Sequence, residues 1–293
     1  MNNTDNKTYT GWKKWKPTNE EWATFSVEPY APFDMKENEY LLVYYDDENG
    51  VERLSAQYCM EGGKLRKFGR TSIKFRGKDK DNIITPLNDE QICAFQLIKD
   101  RDIPVKVFTG PFGCGKDLLM TAESLELIKA NQFEKIIWIR NNIEVKDTKD
   151  LGALPGDTYS KLIPYLGPYV DSAGLLTVKQ MIDREQLVIE PLQSLRGRNF
   201  THSIIICSEA QNMTLDHLKL ILGRAADGTE VWFNGDWKQT DKAVFERSNG
   251  LQRLIKYLAG DPLFGYVHML KTERSAVARL ADKIELAEAA ENN

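Results

Sequence analysis

Cysteine is scarce. The chain has four in 293 residues, Cys59, Cys93, Cys114 and Cys207, each standing alone with no Cys-x-x-Cys spacing. That argues against a disulfide framework or a cysteine zinc site and fits a reducing cytoplasm. Histidine is scarcer still, and His202, His217 and His268 lack metal-ligand spacing. No apolar run approaches the roughly 18 residues needed to cross a bilayer, so no membrane segment is expected. The opening residues, Met1 to Pro17, lack the apolar core of a secretion signal, and the closing AENN resembles no lipidation or retention tag. No export is expected. Eleven prolines and twenty glycines are too few for a low-complexity chain. A large charge of one sign is also missing: 39 basic against 43 acidic residues leave a net charge of −4. The total therefore neither favours nor excludes a nucleic-acid partner, because phosphate binding depends on where the charge sits.

What is present is apolar material enough for an α/β core with a small domain attached, 42% of the residues being hydrophobic. Residues 1–38 carry Trp12, Trp15 and Trp22 without periodicity and read as an extended aromatic arm that packs on the chain's own surface or a neighbour's. From residue 39 to 80 short β-prone runs alternate with turns, giving a small β-rich domain. Its end is basic: between Glu61 and Lys80 there are eight basic residues against two acidic ones, on a pattern that serves either a phosphate backbone or a solvated strand face. Residues 81–293 then alternate strand and helix. The expected strands are Val105–Thr109, Lys135–Arg140, Leu187–Glu190, Ser203–Cys207, Glu230–Asn234 and Tyr266–Leu270. The expected helices cover 88–100, 116–130, 159–172, 214–224 and 250–258, with a last one from Ser275. Such alternation predicts a mostly parallel sheet flanked by helices.

The sharpest signal is Gly110-Pro111-Phe112-Gly113-Cys114-Gly115-Lys116-Asp117-Leu118, set between an apolar strand and a helix. Three glycines let backbone N–H groups turn inward around phosphates, the helix N-terminus adds its dipole, and Lys116 adds a mobile cation. This is a phosphate loop for ATP, with one departure. Asp117 stands where a Ser or Thr hydroxyl would normally bind Mg²⁺. The second half of the metal site is expected after a later buried strand, and there Ser208 replaces the usual Asp. Carboxylate and hydroxyl have exchanged places, so the pair still offers one of each to the metal. The other reading of the same pair is a decayed site that binds nucleotide and turns it over slowly. Glu209 is placed to orient the attacking water. Asp236 and Gln239 follow another strand end, where Gln239 can sense the γ-phosphate.

Taken with Leu151–Asp157 and Lys161, Pro191–Arg198, Glu209–Asn212, Gly235–Gln239, Ser248–Leu251 and Lys271–Ser275, these motifs resemble the PhoH-like family, ATPases related in their core to superfamily-one helicases. The resemblance runs from about residue 86 to 284. It implies a RecA-like P-loop NTPase fold and a nucleic-acid-dependent ATPase or helicase, with RNA favoured over DNA and a homo-oligomer, such as a hexameric ring, as the assembly. The segment from Asn38 to Lys80 resembles the small domain of longer members, and a short form lacking their PIN nuclease domain is expected. Carried residue by residue, the resemblance makes Gln91 the reader of adenine and Arg274 a contact of the γ-phosphate. Arg140, Arg196 and Arg198 become contacts to nucleic acid, the last two alternatively to a neighbouring subunit's nucleotide. Compact size suggests a phage-encoded member. The competing expectation is a nucleotide-gated scaffold with little turnover.

Overall fold

The computed structural model describes residues 9–76, 81–140, 163–236 and 249–273. The chain begins with a small sheet in which β1 (Trp12–Trp15) lies parallel to β2 (Tyr40–Asp46). β2 pairs antiparallel with β3 (Glu52–Glu61), and β3 with β4 (Lys64–Lys67). Because side chains alternate across a strand, β2 sends Tyr40 and Leu42 into the main core, and Leu41 and Val43 to the other side. That other side is covered by Trp15 and by Phe25 from α1 (Asn19–Val27).

The sequence pattern showed no helix in this arm. It forms because Thr18 and Glu21 make a reciprocal capping box at its start. Phe25 is its one fully buried anchor, too few to write a helical period. A hairpin of β5 (Ile73–Arg76) and β6 (Asp81–Ile84) follows as a separate two-stranded sheet.

Then come α2 (Asp89–Lys99), β7 (Val105–Thr109), α3 (Lys116–Lys129), β8 (Lys135–Arg140), α4 (Gly167–Ala173), α5 (Leu175–Asp183) and β9 (Leu187–Pro191). They are followed by β10 (Ser203–Ser208), α6 (Leu215–Leu222), β11 (Glu230–Gly235), α7 (Gly250–Leu258) and β12 (Phe264–His268). Among the described residues six of these strands form one all-parallel sheet, ordered β12-β7-β11-β10-β8-β9. Their apolar runs are continuous because both faces are covered. Phe108, Trp138, Ile204 and Trp232 pack under α2, α3, α4 and α5, and Val107, Ile205 and Phe233 under α6 and α7.

The expected strands Val105–Thr109 and Lys135–Arg140 are found with those bounds, whereas the last strand lies two residues earlier than Tyr266–Leu270. Met269 N–H still bonds to the Thr109 carbonyl of β7, and the chain leaves the sheet after it because the Leu270 and Lys271 N–H groups are taken by the Glu90 carboxylate. In a parallel sheet all carboxyl ends open on one edge, where ligands bind. Here that edge gathers the loops after β7, β10, β11 and β12. β11 lies between β7 and β10, so the phosphate-loop strand and the strand of Ser208 are one strand apart.

Candidate functional site

The loop after β7 depends on its glycines. Gly110 has φ 145, and a Cβ there would come within 1.9 Å of the Met269 carbonyl oxygen, so no side chain fits. Gly113 and Gly115 are also left-handed. Gly115 caps α3 without a side chain, leaving the first helical N–H groups to face a ligand. The Lys116 ammonium lies across the loop, donating to the carbonyls of Gly110 and of Pro111 (2.9 Å), with Cys114 Sγ at 3.4 Å. Burial pushes the Cys114 thiol up from its ordinary value, so it stays protonated and does not compete with phosphate for the lysine. Phe112 is half exposed on the rim.

Beside the loop is a cavity of about 220 Å³ lined by Ile84, Leu87, Gln91, Phe95, Leu118 and Met269. It is smaller than the roughly 300–1,000 Å³ of pockets that enclose a whole drug-sized ligand, and suits one planar base with its phosphates outside. Gln91 forms part of its wall. Gln91 Oε1 accepts Leu87 N–H at 2.8 Å, and Nε2 donates to the Cys114 carbonyl at 3.0 Å. These bonds leave one Nε2 hydrogen and one Oε1 lone pair uncommitted, and they tie the base pocket to the phosphate loop. Asn88, which caps α2, donates to Glu273 at 2.8 Å, and Glu273 N–H donates to the Gly113 carbonyl. The segment after β12 is thereby pinned along the loop.

On the other side of Lys116 the polar groups form a chain. Asn234, at the end of β11, donates from Nδ2 to Asp117 Oδ1 at 2.6 Å and accepts Glu209 N–H on Oδ1 at 3.1 Å. Glu209 Oε2 accepts from Gln211 Nε2 at 2.6 Å, and Gln211 Oε1 accepts Asp236 N–H at 3.1 Å. Glu209 itself sits at φ 57, ψ 41, a left-handed conformation costly for a residue with a side chain and frequent where function over-determines the backbone. Ser208 is buried at the end of β10. Asp117 and Ser208 are hard oxygen donors, the chemistry Mg²⁺ takes when it arrives with phosphates and keeps water ligands. Among the described residues no group of three or more His, Cys, Asp or Glu could hold a metal by itself.

The arginines are dispersed. Arg198 is ion-paired to buried Glu190 and lies over the Phe200 ring, while Arg196 is exposed on the turn after β9. Arg140 ends β8 in register with Ser208. Gln239, Arg274, Lys161 and the Leu151–Asp157 motif lie outside the described residues. Sequence reasoning missed Asn234 and Gln211 as connectors. Their one sequence signal is a polar residue ending or following a wholly buried strand.

A parallel sheet with a phosphate loop on its first strand, a cavity beside it and a carboxylate one strand away defines a P-loop nucleotide-binding protein. The chain belongs to the PhoH-like protein family, whose sequence profile matches residues 83–287. It is 33% identical over 208 residues to protein PhoH2 of Bacillus subtilis, covering 68% of this chain and 47% of that one. It is 33% identical over 220 residues to a PhoH-like protein of Synechocystis (72% and 66%) and 29% identical over 203 residues to protein PhoH of Escherichia coli K12 (66% and 55%). The chain thus spans about half the length of the PhoH2 proteins it matches. A Pif1 helicase from Candida albicans aligns over 68% of this chain and 43% of its own at 13% identity, with a TM-score of 0.33, too low to carry an argument.

Proposed function

We propose that this protein hydrolyses ATP and couples the hydrolysis to single-stranded nucleic acid, RNA in preference to DNA, as a homo-oligomer. The observation that carries the reading is the hydrogen-bonded run Asp117–Asn234–Glu209–Gln211–Asp236 beside the phosphate loop. A loop that only held nucleotide would need glycines and a lysine, not a carboxylate fixed one strand away.

Gly110 to Gly115 and the α3 N-terminus cradle the phosphates, and Lys116 exchanges its loop carbonyls for phosphate oxygens. Asp117 and Ser208 would hold magnesium, which when bound neutralises charge on the transferring phosphate. Glu209, fixed at its backbone by Asn234 and at its carboxylate by Gln211, orients the attacking water. Gln239 and Arg274 pass the state of the γ-phosphate to the bound strand, which Arg140, Arg196 and Arg198 help to hold. This is the family reading carried onto the chain's own residues. The exchanged Asp117 and Ser208 favour a second reading, a nucleotide-gated scaffold of low turnover.

Phosphate release from ATP with Mg²⁺, measured with and without single-stranded RNA or DNA, separates the two. Turnover that the strand stimulates and that Lys116→Ala lowers at least about 100-fold is expected, since electrostatic stabilisers of this kind are worth two to three orders of magnitude. Nucleotide binding without turnover would give the scaffold reading.

A further inference from the structure

The order of the sheet puts β11 between the phosphate-loop strand and the strand of Ser208 and Glu209. The last side chain of β11 before its closing glycine, Asn234, is therefore interposed between the helix that follows one and the turn that follows the other. It is buried, 3% exposed. Its two amide ends do different things: Nδ2 donates to Asp117 Oδ1 at 2.6 Å, and Oδ1 accepts Glu209 N–H at 3.1 Å.

Only a side chain with a donor on one arm and an acceptor on the other meets both demands. A carboxylate has no hydrogen to give Asp117, and a hydroxyl has one oxygen for two directions. The neighbours also ask for it. Glu209 is held in a left-handed backbone that must be fixed from outside. Asp117 accepts the amide hydrogen on Oδ1, which fixes the plane of its carboxylate. A hydroxyl at 117 would have one oxygen and no such plane to fix.

We propose that Asn234 is a positioning residue for Asp117 and Glu209. It aims Asp117 at the metal–nucleotide complex and sets the backbone of the water-orienting Glu209, so that one side chain couples metal capture to water placement. This rests on the roles given to Asp117 and Glu209 above.

The test reads metal capture without turnover. Binding of a fluorescent ATP analogue is titrated with Mn²⁺ in place of Mg²⁺, and the free Mn²⁺ is followed by its paramagnetic resonance signal. In Asn234→Ala the metal midpoint should rise roughly tenfold, the low end of what loss of an orienting partner does to a metal site, while binding in EDTA stays as in the wild type. In an Asp117→Ala background the same substitution should add nothing, because its target is gone. Asn234→Asp is isosteric, keeps the acceptor for Glu209 and sets a carboxylate against Asp117. It should shift the midpoint at least as far and guards against a folding artefact in the alanine variant.

Unchanged midpoints in both variants would overturn the proposal, as would a shift that persists without Asp117 or an equal loss of binding in EDTA. If the wild type itself binds nucleotide without regard to metal, the ATPase reading fails first. A metal-dependent wild type with unaffected Asn234 variants sinks this proposal alone.

Discussion

Lys106 is a fully buried charge: it lies in β7, paired with Glu230, which also takes the Arg101 guanidinium (3.1 Å) and the Trp232 indole N–H (2.7 Å). Burial lowers its pKa to about 8 against the pull of Glu230. Between that value and the roughly 10.4 of an exposed lysine, the unfolded chain keeps a proton that the folded chain has released. This group therefore adds stability as pH rises from about 8 to about 10. The buried thiols of Cys59, Cys93 and Cys207 oppose it. Burial raises them, so above about 8.5 the unfolded chain sheds protons that the folded chain holds, and stability falls. Lys106→Met keeps the chain length and leaves Glu230 two partners, and it removes only the rising contribution. Urea unfolding should show the variant losing more stability than the wild type between about pH 8 and about pH 10; equal losses would refute the account. At this scale the sequence was eloquent about the phosphate loop, because glycine spacing and a lysine are local signals. It was silent about Asn234, whose importance comes from strand order, and strand order does not follow residue order.

Among the elements, those buried on two faces were the legible ones. Val105–Thr109 carries Val105, Val107 and Phe108, and Lys135–Arg140 holds the unbroken apolar run Ile136–Ile139 between two charges that mark its ends, as strands of a parallel sheet do. β6 was read as part of a charged linker, since Asp81 and Asn82 begin it and its partner β5 is short. Helix α5 was missed because Gly174 separates it from α4, and it buries only Val178 and Met181. The N-terminal arm hid α1 for the same reason: one residue, Phe25, carries it. Phe25 sits edge-on to Trp15 (5.0 Å) and Tyr58 (5.2 Å) and stacks with Trp22 (5.8 Å). Phe25→Ala should cost about 3–5 kcal/mol of stability by urea titration, the usual price of a buried phenylalanine cavity. Nucleotide affinity should be unchanged, since Phe25 belongs to a cluster separate from the one beneath the base pocket. A loss below about 1 kcal/mol would mean that α1 is not held by this contact.

Over the whole molecule the question is whether two sheets behave as one body. They share a core, into which β2 sends Tyr40 and Leu42, and are hydrogen-bonded to each other at one edge. Thr10 accepts the His268 N–H, Trp12 Nε1 donates to the His268 carbonyl at 3.0 Å, and Gly11 passes so close to Tyr266 that a Cβ would lie 1.7 Å from its carbonyl oxygen. Asn38 closes the joint from the other side. Its Nδ2 faces the carbonyls of Asp261, Pro262 and Phe264 at 3.0–3.3 Å, its N–H reaches Met60, and its own backbone is left-handed at φ 61. β12 and the turn before it take all of these contacts, and Met269, which follows β12, lies against Gly110, so the small sheet braces one wall of the phosphate loop. Asn38→Gly keeps the backbone conformation without strain and deletes only the side-chain bonds. It should cost about 1–3 kcal/mol, the worth of buried carbonyls losing their donor. Asn38→Ala should cost about 1–2 kcal/mol more, because it adds the left-handed penalty. In the wild type, unfolding followed by tryptophan emission and by far-ultraviolet dichroism should coincide, as one cooperative unit requires, and an ATP analogue should move both midpoints together. In Asn38→Gly the emission transition should split: the part from Trp12, Trp15 and Trp22 should come first and lose its dependence on nucleotide, while the part from Trp138 and Trp232 stays with the dichroism. Coincident transitions in that variant would show that the shared core and the contacts of residues 10–12 are enough to weld the sheets.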